Sequence, residues 1–314
     1  MKILVTGAAG FIGSHLTESL LQKGHQVIAV DGFLSDLYSE ERKRVNWDKL
    51  AIYGNLLTRL ETDLRFELDF EQLIGCDYVF HLAAMPGLSL SWTNPKLYID
   101  CNVTATSNLL EASNRAGIKR FVYVSTSSVY GVNALGDESS QPNPISPYGV
   151  TKLAAENLVK SFANSFNMDF LIFRLFSVYG PRQRDDMAYQ IFIKKLLNGE
   201  PIEIFGNGSQ SRANTYVEDI VDGLLLSFEY HRSGEVFNLS GGEQNTLLKA
   251  VSVISEILEV QPKLIFNPSR LGDQFETKNV AQKASNLLGF EPKMTLKEGL
   301  RRQIKWNLDL KSDI

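Results

Sequence analysis

The first thirty-one residues constrain the fold more than any other stretch. Residues 2–6, Lys-Ile-Leu-Val-Thr, form an apolar run that reads as a short buried strand. Gly7-Ala8-Ala9-Gly10-Phe11-Ile12-Gly13 follows at once, and residues 14–23 then show helical periodicity up to Gly24. Residues 26–30 read as a second strand, closed by Asp31. A strand, a glycine-rich turn, a helix and a second strand make a βαβ unit, which predicts a parallel sheet. Glycines in the first turn let the backbone approach a pyrophosphate seated on the amides of the helix N-terminus. The spacing is G-x-x-G-x-x-G, so Gly7, Gly10, Phe11, Ile12 and Gly13 are candidate dinucleotide contacts. Asp31 is placed to accept from adenosine ribose hydroxyls, and its charge would repel a 2′-phosphate. NAD is therefore expected rather than NADP.

Further along, residues 35–60 are polar and poorly periodic, with a helix expected around residues 40–50. Asp63 and Leu64 follow a short strand-like run, where such folds often meet adenine. Residues 78–82 read as a buried strand leading into Ala83-Ala84, small enough, with Leu82, to let the chain pass close to a cofactor. His81 is read as structural. Residues 86–92 are expected to be a loop that meets a ligand, and residues 102–116 an amphipathic helix. Residues 121–124 are the next strand, and Ser125-Thr126-Ser127-Ser128 lies at its C-terminal end. Ligands of open parallel sheets bind beyond such ends. Tyr148 and Lys152, four apart, share one face of a helix. A lysine ammonium beside a phenol favours the phenolate, which makes a base usable near neutral pH.

Composition excludes several classes. At 314 residues, with 22% charged and 44% hydrophobic, the chain is of ordinary globular balance. Its net charge of -4 comes with no basic stripe, so nucleic acid is not an expected partner. Cys76 and Cys101 have no metal-like spacing, and His15, His25, His81 and His231 form no ligand-spaced cluster; no metal is expected. Neither a signal peptide nor an apolar run of membrane-crossing length is apparent, so no membrane association and a cytoplasmic location are expected.

In combination, these motifs resemble the extended short-chain dehydrogenase/reductases, specifically the NAD-dependent nucleotide-sugar epimerases and dehydratases. The resemblance covers nearly the whole chain. It rests on Thr-Gly-Ala-Ala-Gly-Phe-Ile-Gly (6–13), His-Leu-Ala-Ala (81–84), Ser-Thr-Ser-Ser-Val-Tyr-Gly (125–131) and Pro-Tyr-Gly-Val-Thr-Lys (147–152). Val-Tyr-Gly-Pro-Arg (178–182), Phe-Gly-Asn-Gly-Ser-Gln-Ser-Arg (205–212) and Arg-Leu-Gly-Asp (270–273) complete the series. The resemblance implies an α/β fold: a Rossmann-type doubly wound parallel sheet with a smaller α/β C-terminal substrate-binding region. Residues 1–176 are then the NAD-binding part with the catalytic groups, and residues 177–314 bind the nucleotide sugar, some segments packing back on the first part. Tyr148 is implied as the base, Lys152 as its partner and ribose anchor, and Thr126 as the hydroxyl that aligns the substrate. Asn102 matches a family asparagine near the nicotinamide, here read as structural rather than chemical. Arg212 and Arg270 match arginines that grip the diphosphate, whose oxygens suit the guanidinium fork. Asp273 matches an acid on the nucleotide ribose, and Phe205 falls where relatives contact the base. Ser177 departs from the Asn usual before Val-Tyr-Gly. A homodimer is the family's usual assembly.

The same resemblance narrows the reaction. Dehydratases carry Asp-Glu directly after the catalytic Thr, because elimination needs an extra acid and base. Here those positions are Ser127 and Ser128. Epimerisation at C4 needs only the base and tightly held NAD, which points to an isomerase, a UDP-sugar 4-epimerase. Ser127, Ser128, Ser177 and Arg184 resemble the groups around the C6 carboxylate in UDP-glucuronate 4-epimerases. Against a uronate stands Ser89, where those relatives often have Arg; the alternative substrate is UDP-glucose or UDP-N-acetylglucosamine. A non-catalytic NAD sensor and a net oxidoreductase are the competing classes, the sensor disfavoured because Tyr148 and Lys152 are both kept.

Overall fold

The computed structural model describes residues 1–66, 68–132, 137–268 and 280–312. Strands occur in chain order as β1 (Lys2–Thr6), β2 (Gln26–Asp31), β3 (Leu57–Glu61), β4 (Tyr78–His81), β5 (Arg120–Thr126), β6 (Asp169–Leu175), β7 (Ser177–Tyr179), β8 (Ile202–Phe205), β9 (Ser211–Tyr216), β10 (Glu235–Leu239), β11 (Gln244–Thr246) and β12 (Leu264–Asn267). The helices are α1 (Phe11–Gln22), α2 (Glu40–Lys49), α3 (Ser89–Thr93), α4 (Pro95–Ile99), α5 (Ala105–Arg115), α6 (Pro147–Phe166), α7 (Ala188–Leu197), α8 (Val217–Leu225), α9 (Leu247–Leu258), α10 (Gln282–Leu288) and α11 (Leu296–Ser312).

Seven strands form one sheet in the order β3-β2-β1-β4-β5-β6-β10, every neighbouring pair parallel. Parallel strands need helical crossovers, so both faces are covered and the central strands are largely buried and apolar, while edge strand β3 is mostly exposed. Successive side chains serve opposite faces. Ile3, Val5, Val122, Val124, Leu171 and Phe173 pack on one side with Leu16 and Leu20 of α1 and Ile220 and Leu224 of α8. Leu4, Phe121, Tyr123, Phe170 and Ile172 pack on the other with Leu109 and Leu110 of α5 and Ala155 and Val159 of α6. The sheet is the Rossmann-type doubly wound fold. Its order reverses between β1 and β4, and a ligand-binding crevice opens at such a switch point.

Beyond residue 176 the chain adds a three-stranded sheet, β11-β9-β7, and a parallel pair, β12-β8. It also returns β10 to the large sheet beside β6. One apolar core runs from Ile3 to Ile304, joining α11 to the body formed by α1 and α8. Both cysteines are buried free thiols. No helix among the described residues is long and apolar enough to cross a membrane. Two expectations change. Residues 86–92 are not loop throughout, because Ser89 opens the short helix α3. The helix expected over residues 102–116 starts as a wider π-turn at Asp100–Thr104 and becomes α-helical only at Ala105.

Candidate active site

A cleft of about 460 Å³ lies across the C-terminal ends of β1, β2, β4, β5 and β6. Thr6, the last residue of β1, is buried behind it and anchors the strand-end residues that line it. Its hydroxyl accepts from the amides of Leu82 (3.2 Å) and Ala83 (3.1 Å) and bonds His81 Nδ1 at 2.7 Å. His81 Nε2 lies 2.9 Å from Thr106 Oγ1, so the ring is a brace between β1, β4 and α5. Burial, reinforced by the Lys152 charge, lowers its pKa to about 3 and keeps it neutral. Leu82, Ala83 and Ala84 thereby line the cleft opposite Gly7, Gly10, Phe11, Ile12 and Gly13. The glycine turn has no room for side chains. Gly7 has φ +67°, and a Cβ on it would lie 2.9 Å from Ala83 N. A Cβ on Gly13 would lie 2.0 Å from Gly7 O.

Asp31, at the end of β2, lines the cleft beside this turn. It is held by the Ala9 amide (3.1 Å), the Phe33 amide (2.9 Å) and, at 3.5 Å, the Lys43 ammonium. Asp63 and Leu64 line the same end, and Asp63 is clasped by Arg65, NH2 to Oδ2 at 2.6 Å. Lys43 and Arg65 were not foreseen. Their only sequence signal is a positive charge near Asp31 and Asp63, and it becomes informative once the loops fold over the strand ends. The residues present thus fit a dinucleotide: a bare backbone turn at a helix N-terminus and a fixed carboxylate one strand away.

The other end of the cleft is assembled by β5 and α6. Ser146 caps α6 by accepting from the Gly149 amide at 3.1 Å, and Pro147 sits in the first turn, where its missing N–H costs nothing. Tyr148 and Lys152 then face β5 one turn apart, and both line the cleft. Lys152 is only 3% exposed. Its ammonium donates to Val124 O at 2.8 Å and lies 4.3 Å from the centre of the Tyr123 ring. Burial lowers its pKa to about 7, against an upward pull from Glu156. Tyr148 packs edge-on to Tyr98 at 6.1 Å. Burial raises its phenol, while the Thr126 hydroxyl and the Arg184 charge pull it back down. Thr126 ends β5 and accepts from the Ser128 amide at 3.2 Å, which starts the tight turn carrying Ser127 and Ser128 into the cleft.

Ser177, Arg184 and Arg212 line the far side of the same cleft. The Arg184 guanidinium is forked onto Asp186, Nε to Oδ1 at 2.9 Å and NH2 to Oδ2 at 3.0 Å. The loop that bears it is pinned to the cofactor half: Tyr38 OH donates to Arg182 O at 2.9 Å, and Arg42 pairs with Asp185 at 2.9 Å.

Two of the expected site residues do not line the cleft. Asn102 is buried and spends its amide on the backbone: Oδ1 accepts from Met85 N at 2.7 Å, and Nδ2 donates to Met85 O at 3.1 Å and Thr151 Oγ1 at 3.0 Å. It shapes the wall from behind. Phe205 ends β8, outside the cleft, because β8 pairs with β12 rather than with the β7-β9 sheet. Arg270 and Asp273 lie outside the described residues.

The sequence profile of the NAD dependent epimerase/dehydratase family matches residues 3–240, and the chain belongs to that family. A UDP-glucuronate 4-epimerase of Thermodesulfobacterium geofontis is 34% identical over 309 residues, covering 97% of this chain and 95% of that protein. An uncharacterized UDP-glucose epimerase of Bacillus subtilis is 42% identical over 316 residues, 98% of each chain. Among solved structures, UDP-glucuronic acid 4-epimerase from Bacillus cereus in complex with UDP-glucuronic acid and NAD has a TM-score of 0.94 and 37% identity, covering 99% of this chain and 100% of that one. NAD is the cofactor of the family, and the chain is an isomerase of this kind.

Proposed function

We propose that the chain is a UDP-glucuronate 4-epimerase that interconverts UDP-glucuronate and UDP-galacturonate through a transient 4-keto sugar. One observation carries the choice of reaction. Tyr148, Lys152 and Thr126 share the cleft with Ser127 and Ser128, and the acids lining it among the described residues are Asp31 and Asp63, both at the other end. Dehydration would need a further acid and base beside the sugar. Epimerisation needs one group to take and return one proton. Tyr148 takes the proton of the sugar 4-hydroxyl and later returns it to the ketone oxygen. Lys152 stands one helical turn behind, its ammonium held on Val124 O, and Thr126 hydrogen-bonds the oxygen that reacts. NAD supplies the acceptor for the C4 hydride and gives it back, so no net redox change accompanies turnover. Residues 1–176 hold the cofactor in this reading, and residues 177–314 contribute most contacts to the nucleotide sugar. The molecule works in the cytoplasm as a homodimer.

Support for the uronate comes from Ser127, Ser128, Ser177 and Arg184, which all line the cleft and offer it hydroxyls and a guanidinium. A planar carboxylate matches that fork, as Asp186 already demonstrates. The sugar carboxylate takes the place of Asp186 on Arg184. Arg184→Ala is therefore expected to raise KM for UDP-glucuronate by about 10- to 100-fold, the loss of a charge-assisted pair. KM for neutral UDP-sugars should change little, while kcat falls for all sugars alike because the Arg184 charge also favours the Tyr148 phenolate. Steady-state kinetics on both substrates checks this, and an unchanged preference for the acidic sugar would remove Arg184 from the account. Conversion of neutral UDP-sugars alone by the wild type would replace the uronate with UDP-glucose or its N-acetyl relative.

A further inference from the structure

Tyr148, Lys152, Glu156 and Lys160 recur every fourth residue of α6. Their side chains form one row down the face that meets β5 and β6. The reaction described above leaves Glu156 unused, yet its side chain is fully buried. A buried carboxylate persists only where its charge and lone pairs are met. Arg174 of β6 meets it as a fork, Nε to Oε1 at 2.9 Å and NH2 to Oε2 at 2.7 Å. Arg174 also donates to Tyr130 OH at 2.9 Å, and that hydroxyl donates to Asn238 Oδ1 on β10 at 2.8 Å. So far this is a brace linking α6, β6 and β10.

Two further contacts lead from the brace to the reacting end. Ser125 Oγ donates to Glu156 Oε1 at 2.6 Å, and Ser125 lines the cleft immediately before Thr126. Lys152 lies one helical turn before Glu156, with its ammonium on Val124 O, the carbonyl of the residue preceding Ser125. The ionisable groups facing Lys152 are Glu156 from its own helix, Tyr123 from β5 and His81 from β4. Arg174 of β6 stands behind Glu156. Of these groups, Glu156 alone is an acid.

We propose that Glu156 is a positioning residue of the reaction: its carboxylate keeps the Lys152 ammonium in place behind Tyr148 and, through Ser125, fixes the strand end that carries Thr126. The proposal rests on the roles given to Tyr148 and Lys152 under the proposed function. The direction of the Lys152 shift agrees with it, because burial lowers that group and Glu156 opposes the fall. A lysine kept charged at neutral pH in an apolar site needs such a neighbour.

The test uses the NAD-loaded enzyme and follows kcat against pH, together with the ¹³Cε resonance of Lys152, which reports its protonation without turnover. Glu156→Gln keeps the shape and the acceptor for Ser125 but removes the charge. The alkaline limb of kcat is expected to move down by about one pH unit or more, with bound NAD per subunit unchanged. The Lys152 resonance should titrate at a correspondingly lower pH. Glu156→Gln combined with Arg174→Met also removes the facing positive charge and should bring both titrations back toward wild type. Ser125→Ala leaves the charge in place; its limb should stay put while kcat falls several-fold at constant KM. A purely structural brace predicts lowered Tm in Glu156→Gln with both titrations unmoved, and that outcome overturns the proposal. Full kcat in Ser125→Ala overturns its strand-end half. An active Tyr148→Phe would instead sink the underlying reading, and the Lys152 resonance keeps the two failures apart.

Discussion

Tyr148→Phe is expected to lower kcat by about 10³-fold or more, the scale of removing a positioned acid–base group. The phenyl ring keeps the edge contact with Tyr98 and the apolar fit against the cluster of Met85, Tyr98 and Cys101, so NAD content and nucleotide-sugar affinity should stay within about twofold of wild type. The separation of chemistry from binding is the informative part. Phenol burial raises the Tyr148 pKa, so the free site holds the hydroxyl protonated; the Thr126 hydroxyl and the Arg184 charge act against that rise. Tyr148 acts as base from its phenolate form, and the Thr126 hydroxyl and the Arg184 charge are the neighbours that favour that form. Isothermal titration with UDP-glucuronate alongside turnover measures both quantities. Retained turnover would show that another group takes the proton.

The second large effect belongs to Gly13→Ala. The new methyl carbon would sit 2.0 Å from Gly7 O, and that oxygen is backbone, which has no rotamer through which to retreat. Gly7 O already accepts from Gly10 N at 3.0 Å, so the whole turn has to move. Overpacking of this kind costs about 1–3 kcal/mol. Because the displaced turn is the cradle for the pyrophosphate, the purified variant is expected to carry less than about a tenth of the wild-type NAD and to melt several degrees lower. Cofactor released on denaturation, quantified per mole of protein, measures the first effect. Full NAD occupancy would mean that the dinucleotide sits elsewhere in the cleft.

The legibility of this chain follows physical lines. The βαβ start was readable to within a few residues because every level agreed: an apolar strand, glycines where the backbone must turn, and helical periodicity stopped by Gly24. Strands β7, β9 and β11 were not, because Ser177–Tyr179, Ser211–Tyr216 and Gln244–Thr246 are short or polar and gain their pairing only from one another. Thr126, Tyr148 and Lys152 do meet in one cleft, as their spacing on strand end and helix implies. Asn102 was expected among the cofactor residues, and sequence could not reveal that its amide is spent on Met85 and Thr151. The state of Arg184 was equally hidden. A charge two residues from an acid reads as loop composition until the fold shows the two forked together. Glu156 did leave a signal: an acid four residues after Lys152 on a stripe otherwise apolar enough to be buried.

Transfer of the C4 hydrogen is the step on which the whole account turns. UDP-glucuronate deuterated at C4 should be incubated with enzyme purified without added cofactor, and the UDP-galacturonate formed examined by NMR. Direct hydride removal and return predicts deuterium wholly retained at C4 of the product, with no solvent hydrogen incorporated. Exchange of the C4 label with solvent, or no product without added NAD in an enzyme that carries it, would contradict the account.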